Sequence, residues 1–258
     1  MGTGPAGFQP GERRALRPGK FTVVRLAAPP PPPTQPPHLK LVVNHEDQIV
    51  EGLLAAYRQG YFPMDEPSFG PGAPLLWLTP EVRGVMPLTE TEGFHVPRRL
   101  RERMRRRPFR MTSDTDFRGV IEGCAAPRWY EQETWIDGRI LQLYTLLHAR
   151  GHAHSIEAWL DGAGGPVLVG GLYGVRMGSV FFAESKFCRP ELGGTDASKI
   201  ALVTLVEHLR RRGFTLLDVQ MWNEHLDRFG CRQIPRKDYL ARLEESLAVE
   251  ASWGTLEA

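Results

Sequence analysis

The sequence of 258 residues has few cysteines: Cys124, Cys188 and Cys231 are its only three, and no two of them have Cys-x-x-Cys spacing. An odd number of scattered cysteines argues against a disulfide framework and a cysteine zinc site, and it is typical of a reducing compartment. The chain also lacks a run of about 18 apolar residues, so we predict no transmembrane helix. The N-terminus also lacks the apolar core of a signal peptide.

Neither sign of charge dominates, because the net charge is only +2. The arginines are unevenly distributed, however, and eight of the thirteen residues from Arg98 to Arg110 are arginine. Leu100 and Met104, four residues apart, give this segment one narrow apolar stripe and predict a basic helix. Because only Glu102 offsets the positive charge, we favour a polyphosphate partner, nucleic acid, over a merely solvated surface. The eight residues are Arg98, Arg99, Arg101, Arg103, Arg105, Arg106, Arg107 and Arg110.

Proline marks the N-terminal part of the chain. Residues 1–38 are rich in glycine and arginine and include the five-proline run Pro29–Pro33, so we predict a disordered tail. We expect a small N-terminal domain over residues 39–92, a larger domain over 93–247 and a C-terminal tail over 248–258.

The order of predicted elements indicates the fold class. Helical periodicity over 47–58, 114–125 and 139–149 precedes three strands, which are followed by a helix, a strand and a final helix. This order predicts a mixed α/β (α+β) layer rather than a bundle or a sandwich. The three consecutive strands form a meander over 153–160, 167–175 and 179–184.

A carboxylate and an amide stand two positions apart in the stretch 215–223. On a β-strand, Asp218 and Gln220 would point to the same face and lie among apolar neighbours. Such groups must hydrogen-bond each other or a ligand, because burying them unpaired is costly. These residues alone leave a structural hydrogen bond and a ligand site both open.

Three aromatic residues, Trp129, Tyr130 and Trp135, fall in a polar loop outside any obvious core periodicity. They are candidates for stacking on a base, and the alternative is that they cover the edge of the core.

An ordered set of motifs runs from about residue 50 to about residue 245. Taken together, they resemble the leucyl/phenylalanyl-tRNA–protein transferase family. The motifs are Ala56–Gly60 with Phe62 and Pro63, Val120–Ala125, Glu133–Ile136, Gly151–Glu157, Gly170–Val175, Glu184 with Ser185, Ala197–Lys199, Asp218–Gln220, and Ile234–Arg236 with Asp238 and Tyr239.

The resemblance implies a cytoplasmic enzyme that transfers leucine or phenylalanine from a charged tRNA to the α-amino group of proteins beginning with Arg or Lys. The modified protein is thereby marked for degradation. The implied fold is a small N-terminal domain followed by an acetyltransferase-like (GNAT-like) catalytic domain. We expect aminoacyl-tRNA and a protein or peptide as partners, and a monomer that uses no cofactor, no metal and no membrane.

The resemblance also assigns roles to individual residues. Asp218 and Gln220 are the catalytic pair, in which the Gln220 carbonyl, polarised by Asp218, helps the attacking amine lose its proton. Glu184 matches the carboxylate that pairs with the Arg or Lys side chain of the acceptor. The aromatic residues expected at the 3′ adenosine are Tyr57, Trp135 and Tyr144.

An apolar pocket is expected for the donated amino acid. Five residues fall at pocket-like positions, although ordinary core is the favoured interpretation for them: Leu172, Phe181, Leu202, Leu205 and Leu217. Together with Lys199, seven arginines between Arg98 and Arg107 are expected to bind the tRNA through its phosphates.

The chain departs from the family pattern at several positions. Met64 stands where a tryptophan is usual, and Lys186 stands where an apolar residue usually lines the amino-acid pocket. The segment from Arg189 to Ala197 is about four residues longer than the pattern. These departures leave the preferred donor and acceptor residues open.

Two rival interpretations use the same fold. An acyl-CoA N-acyltransferase would need a glycine-rich turn that cradles pyrophosphate, and Arg189–Gly194 has glycines at the wrong spacing. A non-catalytic tRNA-binding protein would account for the arginines but gives no reason for Asp218, Gln220 and Glu184. A third alternative is an aminoacyl-tRNA transferase with altered donor or acceptor specificity.

Overall fold

The computed structural model describes residues 21–24, 45–66, 70, 73–127 and 134–256. None of the helices in these ranges is long and apolar enough to cross a membrane. Trp129 and Tyr130 lie outside the described residues, as do 1–20 and 25–38 of the predicted tail.

Helices and strands alternate along the described chain. The helices are α1 His45–Arg58, α2 Arg98–Met104, α3 Phe117–Ala125, α4 Gly138–Ala149, α5 Ala197–Arg211, α6 Glu224–Asp227 and α7 Arg236–Leu247. The strands are β1 Phe21–Val24, β2 Phe62–Met64, β3 Leu76–Pro80, β4 Val82–Met86, β5 Arg110–Ser113, β6 Ala153–Gly162, β7 Gly165–Met177, β8 Val180–Cys188, β9 Leu216–Asp218 and β10 Arg232–Pro235.

Seven strands form the main sheet, in the order β10-β4-β9-β8-β7-β6-β5. Only β8 and β9 run parallel to each other, because α5 crosses over between them, and the other neighbours are antiparallel. The mixed α/β fold predicted from the order of elements is confirmed.

The sheet separates two apolar cores. One core contains residues of α1, α3, α4 and α7, and the other contains residues of α5 and the C-terminal segment. Glycines in β7 allow close packing on the sheet, since a Cβ added at Gly170 would lie 2.5 Å from the Cβ of Ala197 in α5. A Cβ at Gly174 would lie 2.2 Å from the carbonyl oxygen of Phe182 on β8.

The prediction of a wholly disordered N-terminal tail is wrong for Phe21–Val24. These residues form β1 and pair antiparallel with β3, which also pairs with β2 in a separate three-stranded sheet. The sequence Phe-Thr-Val-Val consists of strong β-formers. This short run of β-formers is hard to recognise in the sequence, because the residues around it are rich in glycine and proline.

The arginine-rich helix is shorter than predicted. Helix α2 ends at Met104, and Arg107 adopts a positive φ of 44° before β5 begins at Arg110. Pro108 accounts for this end, because proline disfavours the α conformation in the residue that precedes it. Arg105–Arg107 therefore lie in the turn between α2 and β5.

The C-terminal segment 248–256 packs on the core, although its sequence predicts a tail. Ala251 and Trp253 are buried, and the Trp253 ring stacks on His154 at 4.6 Å between centroids. The Trp253 Nε1–H donates to the Ser113 hydroxyl oxygen at 2.8 Å. Two buried residues in so short a segment give no periodicity from which their burial could have been predicted.

We predict that Trp253→Ala destabilises the protein by about 3 to 5 kcal/mol, because it leaves a cavity between the aromatic residues around it. Val249→Ala is the matched control, since Val249 belongs to the same segment but is exposed. Urea unfolding of the two variants measures the difference. A loss below about 1 kcal/mol for Trp253→Ala would show that the segment is not part of the core.

Candidate active site

The site forms where two parallel strands separate. Strands β8 and β9 pair as far as Phe182 and Asp218, after which β9 ends and β8 continues to Cys188. Beyond Asp218 the chain turns towards β4, where the N–H of Gly84 donates to the carbonyl oxygen of Gln220 at 2.9 Å. A cleft of about 1120 Å³ opens between the separated strands.

Glu184 reaches this cleft through a β-bulge in β8. Tyr173 pairs with Ser185 and Gly174 pairs with Ala183, so Glu184 is the extra residue. A bulge redirects the side chains that follow it, and as a result both Phe182 and Phe187, five residues apart, pack in the same core.

The Glu184 carboxyl lies among three hydrogen-bonding side chains. The Tyr57 hydroxyl lies 2.8 Å from Oε1 and the Tyr144 hydroxyl lies 3.1 Å from Oε2. The amide Nε2 of Gln220 lies 3.2 Å from Oε1. The two phenols also bond each other at 2.6 Å, and together these contacts fix the carboxyl at the wall of the cleft.

The surroundings of Glu184 favour its neutral form. Burial raises the pKa of the carboxyl to about 8, even though the hydrogen bonds from Tyr57 and Tyr144 and the positive charge of Arg83 favour ionisation. The negative charge of Asp218 raises the pKa further. At neutral pH, the Glu184 carboxyl is therefore mainly protonated.

Gln220 occupies a strained turn rather than a strand. Its φ is 53°, and the N–H of Met221 donates to the carbonyl oxygen of Val219 at 2.6 Å, closing a γ-turn around it. Positive φ is unfavourable for a residue other than glycine, and such strain is concentrated at functional sites. The turn directs the Gln220 side chain to the cleft, which it lines.

The predicted pairing of Asp218 with Gln220 takes a different form. The strand ends at Asp218, so the two side chains do not share a strand face. Instead, Asp218 Oδ1 accepts from the backbone N–H of Gln220 at 2.8 Å. The amide group expected to be polarised by Asp218 contacts Glu184 instead. The change of direction at Gln220 has no local sequence signal, because glutamine rarely adopts positive φ.

Arg83, which holds Asp218 in place, is not among the site residues predicted from the sequence. The Arg83 side chain is 1% exposed, and its Nε and Nη2 atoms donate to the Asp218 carboxylate at 2.7 to 3.1 Å. The Tyr239 hydroxyl donates to Oδ2 at 2.7 Å. The available signal was a lone arginine in the otherwise uncharged strand Val82–Met86.

Arg83 also connects the site to α1. Its Nη1 donates to the carbonyl oxygen of Gly60 at 3.0 Å, and its guanidinium lies over the rings of Phe62 and Tyr239. Burial disfavours the charge of Arg83, yet the Asp218 carboxylate holds the pKa of the guanidinium above its ordinary value.

The three aromatic residues expected at the adenosine occupy different places. Trp135 lines the cleft, together with Met64. Tyr57 and Tyr144 are fully buried and lie behind Glu184, so neither ring has a face free for stacking. Their hydroxyl groups position the carboxyl instead. Burial raises the pKa of both phenols well above 10.0, so they remain protonated.

The residues at pocket-like positions also divide into two groups. Leu172 and Leu202 line the cleft. Phe181, Leu205 and Leu217 are fully buried core residues that do not line it. Lys186 pairs in register with Leu172 and lines the same cleft, so a cation does stand in this wall.

The predicted tRNA-binding residues are distributed along the cleft and beside it. Arg99 and Lys199 line the cleft, as do Arg189 and Arg228, which sequence reasoning did not select. Of the other arginines, Arg98 pairs with Glu102 at 2.9 Å, Arg103 lies 3.9 Å from Asp196, and Arg101, Arg105, Arg106 and Arg107 are exposed. The described residues contain no cluster of side chains suited to a metal ion.

Two family models match the chain, and both carry the same description. Residues 87–244 match the leucyl/phenylalanyl-tRNA protein transferase model. The chain belongs to the leucyl/phenylalanyl-tRNA protein transferase family. Residues 50–81 match the model of this family's N-terminal domain. The resemblance seen in the sequence is confirmed, and the protein is an aminoacyltransferase with an aminoacyl-tRNA donor and a protein acceptor.

The raised pKa of Glu184 predicts a specific dependence of stability on pH. Between its ordinary value of 4.5 and about 8, the unfolded chain loses this proton while the folded protein keeps it. The folded state therefore binds more protons, and this group lowers stability as pH rises through that window. Glutamine cannot ionise. We therefore predict that the melting temperature of Glu184→Gln rises relative to that of wild type as the pH increases from 5 to 8.5.

Glu245→Gln, at an exposed position on α7, is the matched control and should follow the wild-type curve. A uniform offset for Glu184→Gln would reflect altered hydrogen bonding alone. If the melting curves of wild type and Glu184→Gln keep a constant separation across this range, Glu184 does not have the raised pKa.

Proposed function

We propose that this enzyme transfers leucine or phenylalanine from aminoacyl-tRNA to the α-amino group of proteins that begin with arginine or lysine. As the resemblance implies, the transfer takes place in the cytoplasm and marks the acceptor for degradation. One observation carries the proposal: the Gln220 amide and the Glu184 carboxyl lie 3.2 Å apart in a single cleft. This pair can receive the two nitrogen-containing groups of such an N-terminal residue.

Transfer from an aminoacyl ester requires little chemical activation. The ester is already reactive, so the enzyme must mainly position the amine and help it lose a proton. An α-amino group has a pKa of about 8, and only its neutral form attacks. When Glu184 is ionised, the Gln220 Nε2 donates to it. The carbonyl oxygen of the same amide is then left to accept an N–H of the incoming amine. As the bond from the amine nitrogen to the ester carbon forms, the ester C–O bond breaks and the amine proton passes to the departing 3′ oxygen of the tRNA.

Glu184 supplies the selectivity for a cationic acceptor. The pKa of its carboxyl is about 8, so most of it is protonated at physiological pH. A guanidinium or ammonium group beside it favours ionisation, and binding then releases a proton and forms a charge-assisted hydrogen bond. A neutral acceptor side chain offers no such gain, and an acidic one would keep Glu184 protonated and form no ion pair with it.

The donor occupies the remaining walls of the cleft in this proposal. Leu172 and Leu202 offer apolar surface to leucine or phenylalanine, and Trp135 offers a ring to the 3′ adenosine. Arg99 and Lys199 stand at the same cleft and can neutralise phosphates of the acceptor stem without reading sequence.

The alternative of a non-catalytic tRNA-binding protein fits the arginines of α2 equally well. It provides no reason for a strained turn that brings Gln220 to Glu184.

A transfer assay tests the proposal directly. The purified protein is incubated with tRNAs charged with labelled amino acids and with peptides beginning Arg, Lys, Asp, Glu or Ala. We expect label from leucine and phenylalanine on the Arg and Lys peptides. Label on acidic termini would overturn the acceptor assignment.

We predict that Gln220→Ala abolishes transfer to Arg peptides and leaves tRNA affinity within a few-fold of wild type. The reason is that the variant loses the acceptor for the amine but keeps the cationic surface. Gln233→Ala, an exposed glutamine on β10, is the matched control. Initial rates and tRNA binding are measured on both variants. Full transfer by Gln220→Ala would remove this side chain from the mechanism.

We also predict that the double charge reversal Arg105→Glu and Arg106→Glu weakens tRNA binding. If each arginine neutralises one phosphate, losing both lowers the slope of log affinity against log salt by about 2 units. Arg242→Glu, at an exposed site on α7, controls for total charge. Binding is measured by titration at several salt concentrations. An unchanged slope would mean that these two arginines only face solvent.

A further inference from the structure

An exposed apolar pair directly follows the strained turn at Gln220. Met221 is 40% exposed and Trp222 is 36% exposed. Among the described residues, no other two neighbours in sequence are both exposed large hydrophobic residues. Met221 lines the cleft. Exposed apolar surface at the rim of a binding site commonly marks a place where a ligand or a partner binds.

The pair is held in place. A Cβ added at Gly84 would lie 2.8 Å from the backbone nitrogen of Trp222, so this segment packs tightly against β4. The Trp222 Nε1–H donates to Asp227 Oδ1 at 3.1 Å, which orients the indole. The Asn223 side chain caps α6 by accepting from the N–H of Leu226 at 3.0 Å. The exposure of Trp222 is therefore not a consequence of a loose loop.

The position of this pair agrees with the path that the proposed function gives to the acceptor. In the proposed function, the α-amino group of the first residue lies at Gln220 and its side chain at Glu184. The Cα atoms of consecutive residues are about 3.8 Å apart, so the second residue of the acceptor lies within reach of the residues that follow Gln220. Met221 lines the cleft next to Gln220, and Trp222 is the exposed residue that follows it, outside the cleft lining.

The charge at the indole argues against nucleic acid as its occupant. Asp227 contacts the indole and Glu224 lies on the same short helix, and both are exposed, while Arg228 at the end of that helix lines the cleft. A phosphate placed on the indole would therefore meet the Asp227 carboxylate. An uncharged side chain loses nothing by approaching them, and it gains by covering the exposed apolar surface.

We propose that Met221 and Trp222 form a subsite for the second residue of the acceptor protein, and that this subsite favours a large apolar or aromatic side chain. The proposal rests on the proposed function, because it takes the first residue to lie at Gln220 and Glu184. It adds a second position at which acceptors are selected.

The experiment compares peptides that begin Arg-Phe and Arg-Gly and are otherwise identical. We expect kcat/KM to be about tenfold higher for Arg-Phe, which is the scale of one well-buried side chain. Trp222→Ala should bring the ratio close to one, mainly through KM, while Trp222→Phe should keep most of it. Val167→Ala, at an exposed apolar position on β7, should keep the wild-type ratio.

The outcomes separate this inference from the function on which it rests. If wild type modifies neither Arg peptide, the proposed function fails. If both peptides are modified at equal efficiency, or if the preference survives in Trp222→Ala, the subsite is overturned. A preference for Arg or Lys at the second position that Asp227→Asn removes would also overturn it, because a carboxylate would then be the determinant.

Discussion

The buried ion pair between Arg83 and Asp218 is the interaction on which the site depends. Both side chains are almost completely removed from solvent, and such a pair is tolerated only when every remaining donor and acceptor is satisfied. Here the guanidinium also donates to Gly60, and the carboxylate also accepts from Tyr239 and from the N–H of Gln220. Four parts of the chain are thereby joined at one point. Loss of one partner would leave an uncompensated buried charge, at a cost of about 3 to 5 kcal/mol.

This pair gives the two carboxyl groups of the site different roles. Asp218 has a permanent cation in Arg83 and uses its oxygens to hold the turn at Gln220. Among the described residues, the direct hydrogen-bond partners of Glu184 are two phenols and an amide, and its carboxyl is mainly neutral at pH 7. The different environments of two nearby acids separate their functions. In the function proposed here, the cation that Glu184 lacks is supplied by the substrate.

The sequence was sufficient for features that depend on pattern. Helical periodicity and the meander predicted the mixed layer, and the motifs selected Glu184 and Gln220, which the structure brings together in one cleft. It was insufficient where tertiary contacts override local preference. Nothing in the chain near Arg83 indicates that its partner lies 135 residues away. Tyr57 and Tyr144 are of a residue type that commonly stacks on bases. Only the fold shows that α1 and α4 place them behind Glu184.

The same network bears on how the domains are divided. The sequence predicts an N-terminal domain that extends to residue 92, yet β4 lies inside the main sheet, between β10 and β9. The N-terminal family model ends at residue 81, just before this strand. We therefore propose a boundary at about that residue. Arg83 lies immediately beyond it and reaches back to Gly60, so the smaller unit contributes a backbone carbonyl to the support of Gln220. The N-terminal region is in this way a structural component of the candidate active site.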